Sequence, residues 1–197
     1  MRPAVGVGIA IVGVVALAGA AYAWTTRGIE TPAYTVARVD GSFELRQYPS
    51  MVMASIDRNG SRGEAVRAAF SPLAGYIFAR NRDGEKIAMT APVTQEPADQ
   101  GWTVSFIMPA EHSRADLPDP GGDVRLVTVA PRRIASVTFS GRWTDARFQE
   151  QAARLLDWMA KEGLTAAGPP EFAYYNDPFT PFFLRRNEVL VPVAAPG

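Results

Sequence analysis

Phe43-Glu44-Leu45-Arg46-Gln47-Tyr48-Pro49-Ser50-Met51-Val52-Met53-Ala54-Ser55-Ile56-Asp57-Arg58-Asn59-Gly60 is the stretch that decides the fold. Phe43 to Tyr48 alternates apolar and polar residues, the period of a half-buried strand. Pro49 has no N–H to give to a ladder, so it separates this strand from a second one at Met51 to Ile56. Asp57-Arg58-Asn59-Gly60 closes that strand with turn residues. Ser61 then offers an N-cap, and Glu64 three residues later completes a capping box. Val66, Phe70, Leu73 and Ile77 follow at helical spacing. Pro72 is expected to end or kink the helix, so one broken helix is predicted between Ser61 and Phe78.

The same order of parts recurs further on. Val124 to Val129, Pro131, Ile134 to Phe139 and Gly141 repeat the strand, proline, strand and glycine turn. Ala135-Ser136 and Gly141 match Ala54-Ser55 and Gly60 at a constant offset, which a shared register produces. A second helix follows, capped by Thr144, with Asp145 near the positive end of its dipole and Gly163 as its stop. Phe148, Ala152, Leu155, Leu156 and Met159 make its apolar face. Further strands are predicted at Tyr34 to Val39, Lys86 to Val93 (interrupted near its end by Pro92), Trp102 to Met108, Phe172 to Tyr175 and Glu188 to Val193. Two such units that pair their strands make an α+β fold. The expected architecture is a distorted antiparallel β-barrel or strongly twisted sheet carrying two helices from a pseudo-duplicated unit.

Composition narrows the functions open to this fold. Lys+Arg and Asp+Glu both number 20 in the 197 residues, so the chain lacks the basic footprint that a nucleic-acid backbone requires. It has no cysteine, which excludes disulfides, zinc–thiolate sites and thiol nucleophiles. With His112 as its one histidine, a His-rich metal centre is excluded too.

Residues 3–24 carry no charge and are rich in Val, Ile, Ala and Gly. At about 1.5 Å per residue such a run can cross a hydrocarbon core of roughly 30 Å. Arg2 and the amino terminus bias the orientation toward an extracytoplasmic domain, in the periplasm or outside the cell. Residues 1–24 therefore read as a membrane anchor or signal peptide. Ala21-Tyr22-Ala23 resembles a cleavage site, but the run exceeds the roughly 7–15 apolar residues of a signal peptide's core, which favours the anchor. Residues 25–33 read as a linker with Gly28 and Pro32 as breakers, and residues 34–194 as the globular domain.

Tyr174-Tyr175-Asn176-Asp177-Pro178-Phe179-Thr180-Pro181-Phe182-Phe183 crowds five aromatic rings around two prolines, where a loop is ordinarily polar. Such a loop covers either the chain's own core or a flat apolar ligand.

Lys86-Ile87-Ala88-Met89-Thr90-Ala91-Pro92-Val93, Tyr175-Asn176-Asp177-Pro178 and Arg185-Arg186-Asn187-Glu188-Val189 together resemble the SOUL haem-binding family. Glu44-Leu45-Arg46-Gln47-Tyr48 and Leu73-Ala74-Gly75-Tyr76-Ile77-Phe78 add to the match, which covers about Tyr34 to Val193. The resemblance implies a distorted barrel with two helices and reversible binding of haem or another tetrapyrrole. It also implies a shallow cleft between the first helix and the loop before the last strand. The residues it places there are Val66, Ala69, Phe70 and Leu73 from the helix, and Tyr175, Phe179, Phe182 and Phe183 from the loop. On periodicity alone the helix residues read as core rather than as a cofactor site.

A porphyrin presents a flat π surface and two propionates, which suit aromatic rings and cationic side chains. Arg185, Arg186 and Lys86 are the candidate cations, and neighbouring Arg185 and Arg186 should face opposite ways. His112 lies in the polar loop Ala110-Glu111-His112-Ser113-Arg114 and reads as a surface residue rather than an iron ligand, with Tyr175 the other candidate for iron. No acid–base pair stands out, so a binding protein is expected rather than an enzyme. The duplicated fold also resembles the effector-binding domains of bacterial transcription regulators, which makes a binder of another hydrophobic small molecule the alternative.

Overall fold

A computed structural model of the chain describes residues 29–80 and 82–195. The segment read as a membrane anchor lies outside the described residues. Among the described residues no helix is long and apolar enough to cross a membrane.

The duplication read from Phe43 to Gly60 is realised in the hydrogen-bond ladders. The first unit contains β2 (Phe43–Tyr48), β3 (Met51–Arg58), helix α1 (Arg62–Ile77), β4 (Val93–Ala98) and β5 (Gly101–Ile107). The second contains β6 (Arg125–Val129), β7 (Arg132–Phe139), helix α2 (Asp145–Lys161), β8 (Glu171–Tyr174) and β9 (Asn187–Val193). With β1 (Thr35–Asp40) added at one edge, the strands lie in the order β1-β2-β7-β9-β8-β4-β5-β3-β6. Exchanging β2 with β6, β3 with β7, β4 with β8 and β5 with β9 turns the eight-strand part of that order into its own reverse. The molecule therefore has a pseudo-twofold axis between β8 and β4. The strand pairs are antiparallel throughout.

The barrel of the expectation does not close. β1 and β6 are the two edges of one open sheet and do not pair with each other. One face of the sheet is covered by the helices. Ala69, Leu73 and Ile77 of α1 pack with Ile56, Val104 and Phe106, and Phe148, Leu155 and Met159 of α2 pack with Ala135, Val137, Val189 and Val191. The other face curls over a smaller cluster of Tyr48, Ala91, Ile134, Ala173, Tyr175 and Leu190. Odd and even residues of β7 and β9 thus serve opposite cores, as strand alternation requires.

Arg62 ties the two units together. It opens α1, yet its Nε donates to Asp145 Oδ1 at 2.7 Å and its Nη2 to the Trp143 carbonyl at 3.1 Å, both at the start of α2. Its guanidinium lies 4.4 Å from the centre of the Phe148 ring and also meets the Tyr174 hydroxyl. Gln95 completes the cluster, accepting from Tyr174 and donating to the Arg62 carbonyl. A buried guanidinium needs such a full set of partners.

Three readings of local structure are corrected. Helix α1 is continuous, with Pro72 inside it. Ala68, whose carbonyl loses its partner to the proline, is exposed, so water can take that place. Lys86 to Pro92 is not a strand: Thr90 makes an isolated bridge to Glu30, and the ladder begins at Val93, after the cis Ala91–Pro92 bond. The strand from Val93 to Ala98 escapes a sequence reading because it contains Pro97. The proline is tolerated because β8 pairs only with Val93 to Gln95, so Pro97 lies on a locally free edge.

Candidate functional site

The aromatic stretch is the place where the two units differ most. In the first unit β4 and β5 are joined by the tight turn at Asp99-Gln100, with Gly101 in the positive-φ region that a side chain resists. In the second, residues 175–186 stand between β8 and β9. A loop of that length, where the sister unit needs two residues, is not required by the fold.

The loop is held by its own polar groups. Asp177 Oδ1 accepts from the backbone N–H of Phe179 at 2.7 Å and of Thr180 at 3.0 Å, and Oδ2 accepts from the Thr180 hydroxyl at 3.0 Å. Arg185 donates to the carbonyls of Thr180 and Pro178, each at 2.8 Å, and its guanidinium lies 4.1 Å from the centre of the Trp143 ring. Asn176 Oδ1 accepts from the Arg186 N–H at 2.6 Å. Phe182 to Leu184 forms a 3-10 turn, and the Phe182 carbonyl accepts from Gly141. With its polar groups turned inward, the loop turns its rings outward. Phe179 is 94% exposed, Phe183 63% and Phe182 44%. Arg142 stacks on Phe182 at 4.7 Å.

The eight residues expected to line the ligand cleft fall into two groups. Phe179, Phe182 and Phe183 are exposed on the loop, and Phe70 is half exposed on α1, resting edge-on against Phe106 at 5.6 Å. Val66 is partly buried and touches both helix-side cores. Ala69 and Leu73, by contrast, have no exposed surface and belong to the core beneath α1. The helix therefore offers an outer strip of Gly63, Val66, Arg67 and Phe70. Arg67 stands three residues before Phe70 on that strip, and its guanidinium lies over Gly63. Helical spacing alone does not reveal which positions face outward, so Arg67 escapes a reading that looks for apolar residues. Arg62 and Trp143 lie between the start of α1 and the base of the loop.

Tyr175 is buried at the root of the loop and committed to an ionic cluster. Its hydroxyl donates to Glu188 Oε2 at 2.8 Å. Glu188 also accepts from Arg46, from Arg186 Nε at 3.0 Å and from the Thr138 hydroxyl at 3.0 Å. Burial pushes the Tyr175 phenol well above its usual value, and the Glu188 charge adds to the effect. Burial alone would raise the Glu188 carboxyl, but hydrogen bonds from Arg46 and the charges of Arg186 and Arg46 hold it down to about 2. A phenol so protonated and so enclosed is unsuited to ligating iron at the surface. The two arginines do face opposite ways, Arg185 onto Trp143 and Arg186 onto Tyr175 at 4.0 Å. Lys86 is exposed, and His112 sits in the loop after β5 with Glu111 at 3.7 Å. Among the described residues no cluster of His, Asp and Glu could hold a metal ion.

An open cleft of about 620 Å³ lies between the loop and the β1–β2 hairpin. Tyr34, Phe139 and Phe183 give it apolar surface, and Glu44, Arg185 and Arg186 give it charge. Its size falls within the range of small-molecule sites. Sequence periodicity does not anticipate it, because it joins the β1–β2 hairpin to residues far away in the chain.

A profile of the SOUL heme-binding protein family matches residues 29–192. Heme-binding protein 2 of Mus musculus is 30% identical over 159 residues, 76% of this chain and 77% of its own. Heme-binding protein 2 of Homo sapiens is 29% identical over 185 residues, 87% and 89% of the two chains. Among solved structures, the C-terminal domain of EcmrR superposes with a TM-score of 0.57 at 15% identity, over 83% of this chain and all but 1% of its own. A hydrolase from Listeria innocua reaches 0.56 at 15% identity, over 80% and 94%. At such identities these two likenesses concern the fold alone. The family match spans both units, the helices and the aromatic loop, and the chain belongs to the SOUL family of haem-binding proteins.

Proposed function

We propose that this chain binds haem or a related tetrapyrrole reversibly, on the surface formed by the aromatic loop and the outer strip of α1. Residues 3–24 tether it at the outer face of the cytoplasmic membrane, where it serves capture, storage or transfer. The observation that carries the reading is the set of rings at Phe179, Phe182 and Phe183, held out into solvent by Asp177 and Arg185 in a member of a haem-binding family. The residues present suit the ligand. Exposed rings can stack on a porphyrin face, and Arg142 and Arg67 can pair with its propionates. When bound, the tetrapyrrole supplies any redox or ligation chemistry, while the protein supplies the apolar surface and the cations.

Titration of the protein with hemin, followed at the Soret band, tests the proposal. Saturable binding is expected, weakened by Phe179→Asp, Phe182→Asp and Phe70→Asp. Binding unchanged by all three substitutions would overturn it.

A second placement is favoured by the 620 Å³ cleft, which shares Phe183 with the first. Ser140→Trp puts an indole into that cleft, whose lining includes no residue of α1. If it abolishes hemin binding while Phe70→Asp does not, the ligand sits there. A different hydrophobic ligand is the remaining alternative, and native mass spectrometry of the protein purified from its host identifies what accompanies it. A binding rather than catalytic role is supported by the family, and an assay of iron release from hemin tests it.

A further inference from the structure

The exposure of Phe179 is more than a ring-stacking surface requires. A residue that serves only as one wall of a cleft keeps one side against the protein, whereas Phe179 is 94% exposed at the tip of its loop. The tip is nevertheless rigidly built. The Asp177 carboxylate turns the backbone at Phe179 and Thr180, and Arg185 clamps the carbonyls of Pro178 and Thr180. Proline stands at positions 178 and 181 and limits the backbone further. An apolar tip built to stay in water marks a surface for another apolar phase.

The position of the loop relative to the start of the domain identifies that phase. Pro32 and Tyr175, the first residue of the loop, line one small cavity. Tyr34 shares the larger cleft with Phe183, Arg185 and Arg186. Glu30 bridges Thr90 and its carbonyl accepts from Ala91, which packs in the same cluster as Tyr175. The polypeptide therefore enters the domain at the root of the aromatic loop. Trp24 closes the stretch read as the anchor, and the eight residues from there to Pro32 span at most about 29 Å when fully extended. Phe179 is four residues beyond Tyr175, within about 14 Å of the root by the same measure. A bilayer holding residues 3–24 is thus within reach of the loop tip. The tip also carries the side chains suited to an interface, aromatic rings flanked by the exposed Arg142 and the half-buried Arg185.

We propose that the aromatic loop docks on the lipid bilayer, with Phe179, Phe182 and Phe183 in the interfacial region and Arg142 at the phosphates. The proposal rests on the reading of residues 3–24 as a membrane tether, and it places the tetrapyrrole surface at the lipid interface. The β4–β5 turn at Asp99-Gln100 lies at the other end of β4 from the Val93–Tyr174 pair, so it points away from the membrane.

The absence of cysteine permits a clean test. The full chain carrying Phe179→Cys, labelled with a polarity-sensitive fluorophore, is reconstituted in vesicles of phosphatidylcholine and phosphatidylglycerol. A parallel sample carries the label at Gln100→Cys. Flotation reports the tether, and quenching by lipids spin-labelled near the headgroup reports the loop. The expected result is a chain that floats, a blue shift at position 179, and quenching there several-fold stronger than at position 100. Phe182→Asp/Phe183→Asp should remove the quenching at position 179 while flotation persists. A floating chain in which the two positions are quenched alike overturns loop docking and leaves the tether standing. A chain that does not float overturns both. A blue shift that follows protein concentration without lipid means that a second copy covers the loop, which also overturns the proposal.

Discussion

Arg46 and Glu188 are 142 residues apart in sequence and meet in a two-pronged ion pair, with Arg46 Nη1 2.7 Å from Oε2 and Nη2 3.0 Å from Oε1. Their side chains are 1% and 0% exposed. The pair joins β2 of the first unit to β9 of the second across β7, and Tyr34 covers the guanidinium at 4.4 Å. Charges so deeply placed need their partners more than the fold needs the pair.

Removing one partner is therefore expected to be costly. Arg46→Met leaves Glu188 to Arg186 alone among the cations, and Glu188→Leu leaves the buried Arg46 with Glu44 as its remaining carboxylate partner, beside the Tyr48 hydroxyl and the Tyr34 ring. Each should destabilise by about 3 to 5 kcal/mol, the cost usual for breaking a buried pair. The double variant should lose less than the sum of the two. Urea denaturation of the single and double variants measures all three.

Stability should fall in acid in a way that Glu188 explains. Its carboxyl lies at about 2 in the folded chain against an ordinary 4.5, so folding favours the ionised form. The contribution is fully present above about pH 4.5 and is lost as the pH falls through about 2. The difference corresponds to about 3 kcal/mol at neutral pH. In Glu188→Gln, the drop in unfolding free energy between pH 6 and pH 2 should shrink by about that amount. An unchanged slope would show that the acid sensitivity arises at other carboxylates.

Leu73 and Phe70 separate core from surface on the same helix. Leu73→Ala opens a cavity in a site with no exposure and should cost about 2 to 5 kcal/mol. Its hemin affinity, measured on folded protein, should match the parent. Phe70→Ala should be milder in thermal unfolding and should weaken hemin binding. Loss of one stacking ring corresponds to a rise in Kd of about 2- to 12-fold.

The loop clamp should matter for binding more than for stability. Asp177→Ala removes the acceptor for Phe179, Thr180 and the Thr180 hydroxyl on an exposed loop. Hemin affinity should fall, because the rings lose their fixed placement before the ligand arrives. The thermal midpoint should move little. His112→Ala should leave the Soret maximum of the complex in place, since His112 lies beside Glu111 in the loop after β5, outside the aromatic loop and α1. A shifted maximum would make His112 an iron ligand.

What the amino-acid order determines by itself is the local pattern and its duplication. Alternation at Phe43 to Tyr48, the capping box at Ser61 and Glu64, and the recurrence of Ala54-Ser55 as Ala135-Ser136 are short-range facts, and the two units form where they predict. The oddity of Tyr175 to Phe183 is equally plain in one dimension, because Asn176, Asp177 and Pro178 mark a turn and rings crowd where such a loop is ordinarily polar. Only the tertiary structure decides which side of α1 is core. A helix with apolar residues around much of its circumference has no preferred face until a sheet covers one, so Leu73 and Phe70 look alike in sequence and part only in space. Pairing order is likewise non-local, and with it the open sheet, the Arg46–Glu188 pair and the cleft beside Tyr34. Each depends on residues brought together by strands that are neighbours in the sheet and strangers in the sequence.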